Sequence, residues 1–383
     1  MEQALFLSDT FSAPTRHPVV GTQKDIRYYG TMARGVLNSP ESTGMAFWSI
    51  NPYIGCAFGC TYCYARYAHR FVMERATSGE VVEEDLAGDL EELPAWLAFE
   101  RRIFVKRNAA QVLRRTLQGR RESLGRVARG ETIAIGTATD PYQPAERIFR
   151  ITREILAVLA DVPRLRLVIV TKSPLITRDV DLLVRIAQHS RLTVHLSLIT
   201  LDRELARRVE PRAPTPEARL RALQRLSEAG LDVGINIMPV LPGITDRPDA
   251  LADLVRRVAR AGASHINACA LRLRQTSRKR YLPWLDTEFP DLAERYDKAY
   301  ANGYQIHDRY REGLRHFLKS ACRKAGIRYG SPEERAFTHD PATDVRAGVA
   351  WEPEPEDEEF SFLTGKGNAA PRLPEHSQMA LDL

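Results

Sequence analysis

The sequence predicts an α/β fold in which short buried strands alternate with amphipathic helices and pair into a parallel sheet. Three observations carry this. Segments rich in Ile, Val and Leu recur at Thr132–Gly136, Leu165–Val170, Leu192–Leu198, Leu231–Ile237 and His265–Leu271. Between most of them apolar residues fall at helical spacing: Ile148, Ile151, Ile155 and Leu159 share a face, as do Leu220, Leu223 and Leu226, and again Leu251, Leu254, Val255 and Val258. The helix ends are also marked, by Thr215-Pro216 as N-cap and first-turn proline, by Gly230 as a stop, and by Gly262 after the next helix. Strand starts roughly 27–40 residues apart leave room for a crossover helix, which parallel pairing requires. Ala46–Tyr53 supplies a further strand ahead of these five, for six in all. Periodicity does not separate a partial (β/α) barrel from an open doubly wound sheet.

Taken from the N-terminus, residues 1–45 read as an irregular extension wrapping the domain, with Phe11-Ser12-Ala13-Pro14 and Ser39-Pro40-Glu41-Ser42 as turn-rich stretches. Residues 46–272 form the (β/α) core and include a charged insertion at 78–130. Acids occupy 80–100, and ten Lys or Arg against the single acid Glu122 occupy 101–130. That basic run is either a surface for a polyanion, binding by counterion release, or a solvated helix with its basic face outward. Residues 273–330 read as a helical cap, helical from Pro283 to about Lys324, with Trp284, Tyr296, Tyr300 and Tyr304 along it. Residues 331–383 carry 12 acidic and 4 basic residues and six prolines, and are predicted to be a disordered acidic tail. The remainder carries 51 basic against 37 acidic residues, so a basic body bears an acidic tail.

The chemistry is concentrated in Cys56, Cys60 and Cys63, spaced by three residues and then two in Gly55-Cys56-Ala57-Phe58-Gly59-Cys60-Thr61-Tyr62-Cys63. Such a loop can direct three thiolates to one iron–sulfur cluster. A fourth ligand is not in evidence, because Cys269 and Cys322 stand far downstream, and a four-iron cluster here would keep one iron open for a small molecule. A structural zinc site wants four ligands. Five cysteines make a poor disulfide framework, and the start of the chain lacks a charged-then-apolar leader, so a reduced, cytoplasmic protein is expected. No apolar run is long enough to span a bilayer, and no membrane association is expected.

This loop, with an aromatic residue before its last cysteine, resembles the signature of the radical S-adenosylmethionine (SAM) enzymes. The resemblance implies a six-stranded partial (β/α) barrel with the cysteine loop after strand one, at the C-terminal edge of the sheet. It implies a four-iron four-sulfur cluster whose open iron chelates the amine and carboxylate of S-adenosylmethionine, and whose electron cleaves it to a 5'-deoxyadenosyl radical. An external electron donor of flavodoxin or ferredoxin type follows. Tyr62 resembles the aromatic residue placed against the adenine edge. Thr139 and Asp140, after strand two, offer oxygens to the ammonium of SAM, though Thr, Asp and Pro also make ordinary turns.

Lys172 after strand three and Ser197 on strand four complete an ordered set that resembles the branch containing spore photoproduct lyase, in which the corresponding residues help hold SAM. Asn51-Pro52-Tyr53, Asp140-Pro141-Tyr142-Gln143-Pro144 and Glu210-Pro211-Arg212 look like a sister group of that branch. One departure stands out: the lyase has a hydrogen-donating cysteine where this chain has Thr137. Either the substrate differs, another donor such as Tyr142 acts catalytically, or the radical is quenched by regenerating SAM. Asp140 and Glu210 are candidate acid–base groups, and His195 is either a hydrogen-bonded core residue or a ligand. The resemblance implies action on a damaged or modified base in DNA. Two alternatives stay open, a peptide or small metabolite as substrate, or a nucleic-acid-binding protein with a structural or redox-sensing cluster. At the C-terminus Gln378, Leu381 and Leu383 resemble the short peptide by which bacterial repair proteins dock on the DNA sliding clamp.

Overall fold

The computed structural model describes residues 19–69, 93–119, 125–127 and 130–330. The acidic tail with its clamp-like peptide, Arg120, Arg121 and the acids of 80–92 lie outside them. The described chain begins with β1 (Val19–Gln23) and β2 (Ile26–Thr31), followed by the short strands β3 (Leu37–Asn38), β4 (Trp48–Ile50) and β5 (Tyr53–Ile54), then β6 (Arg102–Lys106). From there strands alternate with helices: β7 (Thr132–Ile135), β8 (Arg166–Thr171), β9 (Arg191–Ser197), β10 (Asp232–Val240), β11 (His265–Ala270) and β12 (Arg328–Tyr329).

The main sheet runs in the order β12-β11-β10-β9-β8-β7-β4-β3. Its six central members are the six expected strands, all parallel, and the short β12 continues them in parallel while β3 closes the other end antiparallel. Residues such as Val194, Leu196, Val233, Ile235 and Ile266 are buried in one large apolar cluster with the helices. Leu251, Leu254, Val255 and Val258 are buried together, as their spacing requires. Thr215 caps the helix Pro216–Glu228 by accepting from the Ala218 N–H at 3.4 Å.

Four expectations differ from the structure. The N-terminal extension is not irregular throughout, because β1 and β2 pair with β6 and β5 in a second, four-stranded sheet. The basic run is not one helix: Arg102–Lys106 is a mostly buried strand, the Lys106 ammonium donates to the Asn51 carbonyl at 2.8 Å, and the helix Ala109–Gln118 exposes Arg114 and Arg115. Ile148 is 59% exposed, because the helix breaks at Arg150, whose φ of 54° lies in the left-handed region and separates Ala145–Phe149 from Ile151–Leu159. Finally, the C-terminal helices do not all sit over the barrel. Gln275–Glu288 packs near the cysteine loop, whereas Asp308–Ala325 lies along Pro248–Arg260 and β11 as an outer helix. No described helix is long and apolar enough to cross a membrane.

Candidate functional site

The cysteine loop follows β4 and β5 at the C-terminal edge of the parallel strands, and neighbours on every side hold it by its backbone. The Cys56 N–H donates to the Phe99 carbonyl at 2.9 Å and the Thr61 N–H to the Val209 carbonyl at 3.0 Å. Arg66, fully buried, donates to the Cys60 carbonyl and to Glu100, each at 2.8 Å. Arg212 donates to the Ala57 carbonyl at 2.8 Å. Two glycines are required. Gly55 and Gly59 have φ of 85° and 64°, and a Cβ would lie 2.7 Å from the Phe99 carbonyl oxygen at the first and 2.8 Å from the Arg212 guanidinium at the second.

A buried charge network flanks the loop. Glu210 accepts from the Tyr62 hydroxyl and from Arg219, whose guanidinium also donates to the Ser197 carbonyl at 3.0 Å. The Lys172 ammonium lies 4.0 Å from Glu210 and 5.6 Å from the centre of the Tyr62 ring. Burial disfavours the Glu210 carboxylate, but Arg219 and Lys172 outweigh it and hold its pKa below the ordinary value. Burial likewise opposes charge on Lys172, and Cys60 and Glu210 outweigh it and raise its pKa. Glu210 is thus held in ion pairs, Tyr62 and Lys172 converge on it, and Ser197 joins the network through its carbonyl and Arg219.

Asp140 and Thr139 are differently engaged. The Asp140 carboxylate accepts from the Thr171 hydroxyl (2.7 Å), the Lys172 N–H (2.7 Å) and the Tyr142 N–H (2.9 Å), tying the ends of β7 and β8 together. Burial raises its pKa against those hydrogen bonds. The Thr139 hydroxyl donates to the Gly55 carbonyl at 2.6 Å, so it braces the cysteine loop. Tyr142 is buried with Asp179, Glu146 and Arg178 as charged neighbours, so its phenol is not placed at the thiols. Thr137 accepts from Asn51 at 3.2 Å.

Three residues beyond the sequence candidates belong here. The Gln143 carboxamide accepts from the Ala57 N–H at 2.9 Å and donates to the Gly55 carbonyl and the Thr139 hydroxyl. Arg219 is buried within an otherwise amphipathic helix, a charge on an apolar face that was the available signal for it. Tyr64, directly after the last cysteine, donates to the Thr137 carbonyl. Tyr64 is nonetheless 48% exposed, a large aromatic residue open to solvent. Cys63, Cys269 and Arg272 neighbour Tyr64, and Arg274 neighbours Tyr67.

Cys56, Cys60 and Cys63 are electrostatic neighbours of one another, a three-thiol set that fits an iron–sulfur cluster. Burial and Asp140 raise the Cys56 thiol to about 12, while N–H groups of Phe58 and Asp140 directed at the sulfur favour thiolate, the form a metal enforces. Cys322 is buried on the helix Asp308–Ala325, away from the loop.

Comparisons with known proteins agree with this arrangement. A family model described as the radical SAM superfamily matches residues 50–255. An uncharacterised protein of Mycobacterium tuberculosis strain H37Rv is 35% identical over 76% of this chain and 78% of its own length. Another, from Methanocaldococcus jannaschii, is 28% identical over 54% of this chain and 66% of its own length. Among solved structures, a spore photoproduct lyase complexed with dinucleoside spore photoproduct superposes with a TM-score of 0.52 at 15% identity, covering 79% of this chain and 81% of that one. A mutant of the lyase with bound AdoMet and the same photoproduct gives 0.53 at 15%, with the same coverage of both chains. At such identity the likeness is one of fold.

Proposed function

This chain belongs to the radical SAM superfamily, and we propose that its substrate is a damaged or modified base in nucleic acid. As a member it is an enzyme whose cofactors are a four-iron four-sulfur cluster and SAM. When bound, they supply a 5'-deoxyadenosyl radical upon one-electron reduction. In our reading Cys56, Cys60 and Cys63 hold the cluster. Lys172 directs its ammonium to the SAM carboxylate, Ser197 and Tyr62 border the nucleoside, and Asp140 and Thr139 keep the walls of that pocket in place. Radical SAM enzymes need an electron donor, and a flavodoxin or ferredoxin suits a cytoplasmic member of the family.

The observation that carries the substrate reading is the exposed Tyr64 next to Cys63. An accessible tyrosine ring beside Cys63 offers a stacking surface for an unpaired base. Arg272 neighbours it and Arg274 neighbours the nearby Tyr67, charges that suit phosphate, and Arg274 itself lies over the Tyr304 ring at 4.8 Å. The dinucleoside bound by the structural neighbour is of the same chemical class.

Two measurements test this. Cys56→Ala, Cys60→Ala or Cys63→Ala should abolish the visible absorption of the reconstituted cluster, and Cys269→Ala should preserve it. DNA affinity should fall steeply with salt, and Arg272→Gln with Arg274→Gln should reduce the logarithmic slope by roughly 1.4–1.8, from about 0.7 per contact on single strands to 0.9 on duplex. Affinity independent of salt would refute the nucleic-acid reading and favour a small metabolite or peptide.

A further inference from the structure

Across β9, β10 and β11 the sheet face that brings Ser197 to the site carries polar side chains. By strand alternation Thr193, His195 and Ser197 share it with Asp232, Gly234 and Asn236 and with His265 and Asn267. Parallel register stacks them in three tiers: Thr193 and Asp232, then His195, Gly234 and His265, then Ser197, Asn236 and Asn267. Such tiers in a (β/α) barrel are ordinarily filled by branched apolar side chains. Asp232 is 40% exposed at one end, and the histidines and Asn267 are buried.

Hydrogen bonds join the tiers into a column. The Ser264 hydroxyl donates to Asp232 Oδ1 at 2.5 Å and lies 2.8 Å from His265 Nδ1. His265 Nε2 lies 2.9 Å from His195 Nε2. The Asn267 carboxamide follows, its Nδ2 as placed 3.5 Å from His195 Nε2 and 3.2 Å from Asn236 Oδ1. Gly234 permits the histidine contact, since a Cβ there would lie 2.2 Å from His265 Nε2.

Donor rules give the column a direction. A carboxylate only accepts, so the Ser264 proton points to Asp232 and the Ser264 oxygen accepts from His265 Nδ1–H. A neutral imidazole has one N–H, so His265 Nε2 accepts and His195 Nε2–H donates to it. Both rings stay neutral in this scheme, and burial, with His265 adding to it, lowers the His195 pKa to about 3. His195 Nε2–H then faces the Asn267 NH2, two donors together. Exchanging N and O in both carboxamides, which have the same shape, removes the conflict and turns the Asn236 carbonyl oxygen away from the column.

We propose that Asp232, about 13 Å from Asn236 at a rise of ~3.3 Å per residue, sets the polarity of the sheet end at Asn236, the register neighbour of Ser197. Through Ser264, His265 and His195 it makes Asn236 an acceptor for an N–H group. That N–H belongs either to SAM or to the substrate base, so the inference rests on the Ser197 end of the sheet being the binding site. Asp232 and Ser264 are positioning residues in this scheme, acting through the column.

Histidine-selective 15N NMR of the cluster-free protein tests the column without requiring activity. The expected wild-type result is His265 protonated on Nδ1 and His195 on Nε2. Asp232→Asn can donate to Ser264 and should reverse both tautomers, while Ser264→Ala should leave them mixed. In the reconstituted protein Asp232→Asn should weaken SAM binding fivefold or more if the N–H is the cofactor's. If it is the base's, oligonucleotide binding at saturating SAM should weaken instead. Wild-type His265 protonated on Nε2, unchanged tautomers in both variants, or reversed tautomers with both affinities intact would each overturn the proposal. If wild-type protein fails to bind SAM, the pocket assignment falls while the tautomer result still stands or fails by itself.

Discussion

Replacing Lys172 by Met keeps most of the side-chain stem and removes its charge, which separates anchoring of the cofactor from assembly of the site. The ammonium lies 4.0 Å from Glu210, an attraction of about 4 kcal/mol at an effective dielectric of 20. Relief from burying the ammonium offsets part of this, and Glu210 keeps Arg219 and Tyr62 as partners. The fold should therefore lose less than the roughly 3–5 kcal/mol of an orphaned buried charge. A lost charge-assisted contact to the SAM carboxylate is worth about 1.5–3 kcal/mol, roughly tenfold to over a hundredfold in affinity. Lys172 also pulls the Cys60 thiol down against the effect of burial, so the variant's cluster should have a more negative reduction potential. The assay is anaerobic reconstitution, cluster absorbance, and titration of the reduced cluster's EPR signal with SAM. An intact cluster with wild-type SAM affinity in Lys172→Met would refute the assignment of this lysine.

Two further outcomes follow from the same geometry. Gln143→Leu strips the partner from the Ala57 N–H at about 1–3 kcal/mol, while the Gly55 carbonyl keeps Thr139, so the melting temperature should fall and a chelator should remove iron faster; unchanged iron release would show that the loop does not depend on this clamp. Burial raises the Asp246 carboxyl to about 6, against hydrogen bonds from the Gly243 N–H and the Tyr310 hydroxyl. A raised pKa means the folded state holds the proton more tightly, so this group's contribution is fully present below pH 3.8 and is lost as pH rises through about 6. The rise corresponds to about 3 kcal/mol. Asp246→Asn should therefore stabilise the protein at pH 7 by up to that amount, with no gain at pH 3.5; denaturant unfolding at both pH values decides it.

Where the chain's contacts are local, its architecture was legible in advance. The six parallel strands, the Thr215 cap and the buried stripe of Pro248–Arg260 all follow from spacing within about a dozen residues. What went unread involves distant partners. Nothing near Arg102–Lys106 announces that it pairs with Ile26–Thr31, and a segment with basic residues at both ends reads as surface until its neighbours are known. Arg150 breaks a helix whose apolar spacing runs straight through it.

By itself the sequence determined the cofactor chemistry, because three cysteines in one short loop can share an iron–sulfur cluster and carry the resemblance to the radical SAM signature, and it determined the order of the strands that bear Lys172 and Ser197. Only the tertiary structure decided what each polar side chain is for. Asp140, Thr139 and Glu210 look alike in sequence as candidates for cofactor or acid–base roles, yet each already accepts or donates hydrogen bonds within the protein. Gln143, Arg219 and the His195–His265 column gained their roles only on folding. The physical reason is that a carboxylate, carboxamide or imidazole takes its function from the partners that satisfy it, and here those partners arrive from strands and helices far apart in the chain.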